Sequence, residues 1–223
     1  MALMSETGNI VDGGDEIDSF HLTGRGAFIH LGEGTALIGP TGETIFYTAT
    51  VSSIENLFGS IGHDIFVGTD GENVFYSHDG DDLLSGRGGA DSLIADDGND
   101  TIVGGRGADS ISTGRGEDII RFDRLVESRP DAPDGIGDFS SRDTIDLSRI
   151  DADLTHAGSQ AFRLVGEADF SGRPGELRYD IRGADFIVSA DADGDRSADL
   201  AFRLWGTEYL SETGALTTSD FIL

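Results

Sequence analysis

The sequence predicts an all-β protein built around a parallel coil of two facing sheets. Three observations predict this. From Gly59 to Arg121 the chain repeats every nine residues, seven times without a gap: GSIGHDIFV, GTDGENVFY, SHDGDDLLS, GRGGADSLI, ADDGNDTIV, GGRGADSIS and TGRGEDIIR. The fourth residue of every repeat is glycine: Gly62, Gly71, Gly80, Gly89, Gly98, Gly107 and Gly116. The eighth is always apolar: Phe66, Phe75, Leu84, Leu93, Ile102, Ile111 and Ile120.

Each column has a physical reading. Glycine held in register marks a turn that needs positive φ or close backbone approach. The eighth residue is the centre of a three-residue extended stretch, short enough for one side chain to point inward while its neighbours point out. A turn of six and a strand of three make half a coil. Two halves make an 18-residue coil, and such coils stack at about 4.8 Å into two parallel sheets around a thin aliphatic core. Upstream, residues 1–58 form an N-terminal β segment in which SFHL, AFIHL and TIFYTATV have strand character, with Ile45, Tyr47, Ala49 and Val51 alternating. These irregular strands are expected to cover the first end of the coil. Downstream, the two prolines of ESRPDAPDG mark a joint, after which residues 122–223 read as a mostly antiparallel β region. Its core candidates are Phe162, Leu164, Leu177, Tyr179, Phe186, Val188, Phe202 and Leu204.

The sixth column points to chemistry. It holds Asp64, Asn73, Asp82, Asp91, Asp100, Asp109 and Asp118. Coils stack at intervals of two repeats, so Asp64, Asp82, Asp100 and Asp118 line one edge and Asn73, Asp91 and Asp109 the other. Carboxylates about 5 Å apart along an edge repel one another unless a cation lies between them. The whole chain carries 42 acidic against 15 basic side chains, a net charge of -27, and this excludes nucleic acid and anionic membranes as partners. With no cysteine and no histidine cluster to suit a softer metal, calcium is the expected ion, since it accepts six or more oxygens in flexible geometry. The glycines let turn carbonyls swing toward it.

The run from Gly59 to Arg121 resembles the RTX nonapeptide GGxGxDxUx, whose family fold is a calcium-bound parallel β-roll. The segments IGDFSSRDTIDLSRIDA, ADFSGRPGELRYD, DADGDRSADLAFRLWG and LTTSDFIL are similar to serralysin-type C-terminal domains and to the calcium-binding modules of alginate epimerases. The resemblance covers roughly residues 10–223. It implies that each ion is held between turns n and n+2 by sixth-position carboxylates and by backbone carbonyls near the glycines Gly62, Gly71, Gly80, Gly89, Gly98 and Gly107. The pairs are then Asp64 with Asp82, Asp82 with Asp100, Asp100 with Asp118, Asn73 with Asp91, and Asp91 with Asp109, for about five ions. The chain departs from the pattern at Asn73, which weakens its site, and at Ser77, Ala95 and Thr113, where the first glycine is replaced.

Two features lie outside the repeats. DADGDRSAD sets Asp191, Asp193, Asp195 and Asp199 at positions 1, 3, 5 and 9 of a loop, a spacing that can wrap calcium, but Arg196 stands where glycine follows the third aspartate. The bland alternative is an acidic hairpin. The end, Asp220-Phe221-Ile222-Leu223, resembles the uncleaved C-terminal signal of type I secreted RTX proteins, and equally reads as a closing edge strand. No N-terminal signal peptide and no membrane span of about 18 apolar residues is evident. The expectation is a secreted, extracellular module that is disordered without calcium, that folds on binding it, and that engages the type I secretion machinery for itself or for an attached passenger.

Catalysis is not expected. His21, His30, His63, His78 and His156 form no HExxH, and GxSxG is missing, so protease and lipase readings fail. The alternative function is binding an anionic polysaccharide such as alginate through Arg87, Arg106, Arg115, Arg121, Arg124 and Arg129. The plainer reading is that these arginines relieve repulsion between acidic turns.

Overall fold

A three-residue strand followed by a six-residue turn sends the chain back and forth between two layers, and every second nonapeptide returns to the same layer in register. The structure, a computed structural model, describes residues 10–12, 18–22, 26–38, 47–205 and 214–223; Ile45 and part of the N-terminal segment lie outside them. The chain opens with β1 (Ile10–Asp12), β2 (Ser19–His21), β3 (Ala27–His30), β4 (Thr35–Ile38), β5 (Tyr47–Ser52) and β6 (Asn56–Phe58). The repeats supply β7 (Ile65–Val67), β8 (Val74–Tyr76), β9 (Leu83–Gly88), β10 (Ser92–Ile94), β11 (Thr101–Arg106), β12 (Ser110–Ser112) and β13 (Ile119–Arg121). Then come β14 (Asp134–Gly137), β15 (Thr144–Asp146), β16 (Arg163–Gly166), β17 (Glu176–Arg182), β18 (Asp185–Asp191), β19 (Leu200–Trp205) and β20 (Phe221–Ile222).

These strands form two ten-stranded sheets. One runs β1-β5-β4-β3-β7-β9-β11-β13-β15-β20, the other β16-β17-β18-β19-β14-β12-β10-β8-β6-β2. Repeat strands pair in parallel, each with the strand two repeats away, as an 18-residue coil demands. The chain therefore folds as a parallel β-roll.

The inward column is continuous on both sides. In one sheet Ile29, Phe66, Leu84, Ile102, Ile120, Ile145 and Phe221 lie opposite one another in successive strands. In the other the line is Phe20, Leu57, Phe75, Leu93, Ile111, Ile136 and Leu204. All are buried, and Phe66 meets Phe75 edge-on across the core at 5.6 Å. Burying each such side chain contributes about 1.5–3 kcal/mol, which is what holds coils with so few residues per strand together.

The flanks join the same sheets. Antiparallel pairing among the described strands is confined to β3-β4-β5 and to β17-β18-β19. Strands β14, β15, β16 and β20 are added in parallel. Seven of the eight core candidates of the C-terminal region are buried, and Leu164 packs half-buried against them. No helix among the described residues is long and apolar enough to cross a membrane.

Candidate metal centre

Each turn begins where a strand leaves one layer and ends where the next enters the other, so the sixth residue always sits at the mouth of a strand, next to the core. The structure brings the sixth-position residues into two lines. Along the first edge the Asp64 N–H donates to Asp82 Oδ1 at 2.7 Å, Asp82 N–H to Asp100 Oδ1 at 2.7 Å, and Asp100 N–H to Asp118 Oδ1 at 2.8 Å. Along the second edge the Asn73 N–H donates to Asp91 Oδ1 at 2.8 Å and Asp91 N–H to Asp109 Oδ1 at 2.9 Å. One oxygen of each accepting carboxylate thus ties its coil to the preceding one, whereas Asp64, at the head of its line, accepts from the Ser60 N–H of its own turn at 2.8 Å.

Both lines run past the last repeat. Asp118 N–H donates to Asp143 Oδ1 at 3.1 Å, and Asp109 N–H to Asp134 Oδ1 at 3.0 Å. Asp134 and Asp143 escaped the sequence reading because seven inserted residues turn the 18-residue interval into 25 and because their turns lack the fourth-position glycine, having Ala132 and Ser141 instead. A signal was present: Asp134-Gly-Ile136 and Asp143-Thr-Ile145 are nine residues apart and repeat the acid-x-apolar end of the nonapeptide.

The second oxygen is left over. Asp64 Oδ1 and the Oδ2 atoms of Asp82, Asp91, Asp100, Asp109, Asp118 and Asp134 are buried without a hydrogen-bond partner. Burial without compensation opposes the charged form. Loss of water therefore pushes Asp82, Asp91 and Asp118 up to about 7, Asp134 to about 8, and Asp100 and Asp109 to about 6, from an ordinary 3.8. Asn73 and Asp143 differ from the rest. Asn73 Oδ1 accepts from the Thr69 N–H at 2.8 Å while its Nδ2 donates to Glu55 O at 3.2 Å, and Asp143 Oδ2 accepts from Ser140 N–H at 2.7 Å.

The glycines explain how the coils approach so closely. A Cβ on Gly107, where φ is 147°, would overlap the Gly89 carbonyl oxygen, and one on Gly98 would overlap that of Gly80. Fourth-position carbonyls thus face the next coil's glycine. The first-position carbonyls border the leftover oxygens instead: a Cβ on Gly86 would overlap Asp91 Oδ2 and lie 2.6 Å from Gly104 O.

Residues 44–222 match the family described as peptidase M10 serralysin C terminal. The chain belongs to that family. Two solution structures are also similar to it, those of the AlgE6R3 and AlgE6R2 subunits of the Azotobacter vinelandii mannuronan C5-epimerase. Each is 24% identical; the first covers 72% of this chain and 77% of its own with a TM-score of 0.42, the second 69% and 90% with 0.47. No curated protein matches.

Membership of the serralysin C-terminal family, with its RTX-type repeats, makes the chain a calcium-binding repeat module, and its residues fit that ion. The donor set is oxygen throughout, the leftover carboxylate oxygens are buried in two lines, and the glycine cradles are bordered by carboxylate and carbonyl oxygens. The family match is to the C-terminal part of these peptidases, not to a protease active site.

Outside the roll, the β18–β19 loop gathers Asp191, Asp193 and Asp195 within 4.8 Å. Its own backbone already occupies them. Asp191 accepts from Gly194 N–H at 2.6 Å and Arg196 N–H at 3.0 Å, and Asp195 from Ser197 N–H at 2.6 Å. Asp199 is not one of the three, but its carboxylate faces the same loop, accepting from Ala192 N–H at 2.8 Å, and burial together with the nearby charges of Asp193 and Asp191 raises its pKa. Of the arginines, Arg115 lies against Asp97 at 3.6 Å, Arg121 against Asp123 at 2.9 Å and Arg129 against Asp131 at 3.4 Å.

Proposed function

We propose that this calcium-binding module folds when calcium binds outside the cell, and that it supports type I secretion and the stability of itself or of an attached passenger. One observation carries the reading: seven buried carboxylate oxygens without partners, arranged along two edges of a chain whose net charge is -27. Asp64, Asp82, Asp100 and Asp118 on one edge and Asp91, Asp109 and Asp134 on the other would hold the ions, with turn carbonyls completing the set. Asn73, whose amide is hydrogen-bonded on both atoms, would contribute least. Bound calcium supplies positive charge to oxygens that folding has withdrawn from water.

The chain's own contribution is to hold those oxygens in line and to resist folding without the ion. In a calcium-poor cytosol the acidic chain repels itself and stays open enough to thread an export channel; outside, calcium binding and folding become one event. The end from Asp220 to Leu223 fits an export signal as well as the edge strand β20, which pairs with β15. Ion binding by Asp191, Asp193 and Asp195 is the weaker proposal, because backbone N–H groups already satisfy Asp191. Polysaccharide binding is weaker still, because Arg115, Arg121 and Arg129 face carboxylates of this chain.

A calcium titration followed by far-UV circular dichroism and calorimetry tests the main reading. Cooperative gain of β signal with several ions bound is expected. A chain fully folded in chelator that takes up no calcium would overturn it.

A further inference from the structure

The two edges share a sixth-position line but differ at the residues that face it. On the second edge the turn opens with Gly68, Gly86 and Gly104. Oxygen borders the space beside each of them: Asn73 Oδ1 and Gly86 O at Gly68, Asp91 Oδ2 and Gly104 O at Gly86, Asp109 Oδ2 at Gly104. On the first edge the same turn position holds Gly59 once and then Ser77, Ala95 and Thr113, all buried. Their side chains stand where the second edge has open approach between carboxylate and carbonyl. Ser77 makes this explicit: its hydroxyl donates to Ala95 O at 3.0 Å, the carbonyl equivalent to Gly104 O beside Gly86.

The fifth position repeats the contrast. On the first edge it holds His63, Asp81, Asn99 and Glu117, and these build a second ladder. Asp81 N–H donates to His63 Nδ1, Asn99 N–H to Asp81 Oδ1 and Glu117 N–H to Asn99 Oδ1, each at 2.9 Å. This ladder runs opposite to the sixth-position one, since here the earlier coil accepts. On the second edge the position holds Glu72, Ala90 and Ala108, and the two alanines have no side chain that could accept, so no such ladder can run along it.

We infer that the two edges bind calcium unequally: the second edge, through Asp91, Asp109 and Asp134, is the tight edge on which folding depends, whereas the first is stapled by its own side chains and binds calcium weakly. This rests on the reading of the chain as a module that folds on calcium. Physically, the first edge pairs its coils through hydrogen bonds that need no ion and fills the approach to its carboxylates with Cβ atoms. The second edge pairs its turns through backbone hydrogen bonds between β9 and β11 and places no Cβ beside its carboxylates at Gly86 and Gly104, so a cation reaches them unobstructed.

The experiment uses the full chain and matched substitutions, Asp109→Asn on the second edge and Asp100→Asn on the first, with calorimetric site counts and the calcium midpoint of folding as readouts. Asp109→Asn is expected to raise the midpoint about tenfold or more, and Asp100→Asn less than about twofold, because affinity follows ligand charge at the sites that matter. Ala95→Gly opens the first edge without removing a ligand and should tighten its sites about threefold or more. Equal loss in the two Asp variants would overturn the asymmetry while leaving calcium-dependent folding intact, and so would no tightening in Ala95→Gly. No calcium uptake by the parent chain would overturn the calcium reading and the asymmetry together.

Discussion

Residues 59–121 and residues 134–146 lay strands on the same two sheets and extend the same two carboxylate lines, yet only the first stretch keeps glycine in fourth place. The comparison separates two requirements that the repeats present as one. Stacking a strand needs an inward apolar residue, met by Ile136 and Ile145 as well as by Leu93 and Ile102. Stacking a six-residue turn on another turn needs glycine, because the carbonyl of the coil before lies where a side chain would go. After the repeats the turns are built differently. Residues 122–134 form a longer loop in which Ser128 Oγ accepts from Asp134 N–H at 2.8 Å and donates to Ala201 O at 2.6 Å, and the turn holding Ser141 closes on its own Asp143. Side chains there take the part that glycine and tight stacking take in the repeats.

The sharpest way to break the comparison is to put the same small side chain into both stretches. Gly107→Ala places a Cβ on the Gly89 carbonyl at a φ of 147°, and we expect a loss of about 4 kcal/mol or more, or no folding at all, because backbone cannot move aside as a side chain can. Ser141→Ala, at the equivalent position after the repeats, should cost less than about 0.5 kcal/mol. Denaturant melts in saturating calcium measure both. Similar losses would mean that glycine is not reserved for stacked turns.

Core truncation should erase the difference between the stretches. Leu93→Ala in the repeats and Ile136→Ala beyond them each remove a fully buried side chain from one continuous line, and each should cost about 2–5 kcal/mol. A much smaller loss for Ile136→Ala would mean that the roll ends at residue 121 and that the later strands merely lean on it.

How much of this was legible in the sequence depends on the same distinction. The period, the inward column, the two-line arrangement and the eight core residues of the C-terminal region depend on local pattern, and pattern is what a sequence displays. Asp134 and Asp143 depend on register across an insertion. Their acid-x-apolar endings mark them as repeat-like, but nothing local says to which edge a 13-residue loop from Phe122 to Asp134 returns the chain. The pairing of β20 with β15 is a contact over some 75 residues, fixed by packing of Phe221 under the last coil and not by any motif. The first-position replacements Ser77, Ala95 and Thr113 were visible, but that all three fall on one edge acquires meaning only once the cradles on the other edge are seen to be bordered by oxygen.

Acidity joins both stretches in one response, because Asp134 belongs to the same line as Asp91 and Asp109. These carboxyls have folded pKa values of about 6 to 8, above the unfolded 3.8, so the ion-free roll binds protons more tightly than the unfolded chain does. The stability that these groups contribute is fully present below about pH 4 and is lost as pH rises through 6 to 8. In chelator, β signal should therefore fall between about pH 5 and pH 8. In calcium the dependence should reverse, since the ion competes with protons for the same oxygens. Asp134→Asn should flatten the chelator profile; an unchanged profile would detach the post-repeat residues from the titrating line.

The smallest effect concerns the second residue of the first-edge turns. His78, Asp96 and Gly114 occupy the same place in successive coils with φ of 70°, 76° and 88°, so two of the three adopt a left-handed conformation that costs a side-chain-bearing residue free energy. Asp is among the residues that tolerate it best. Asp96→Gly should stabilise the calcium-bound roll by only about 0.5–1 kcal/mol, as relief of strain exceeds the entropy that glycine adds to the unfolded chain. The reverse change, Gly114→Asp, should cost considerably more than that gain, because a Cβ there would overlap the Asp96 carbonyl oxygen. The pair distinguishes conformation from crowding. If Asp96→Gly destabilised the roll, the Asp96 carboxylate would be contributing to the first edge itself, and the stapling of that edge by side chains would extend one position further than the fifth-position ladder.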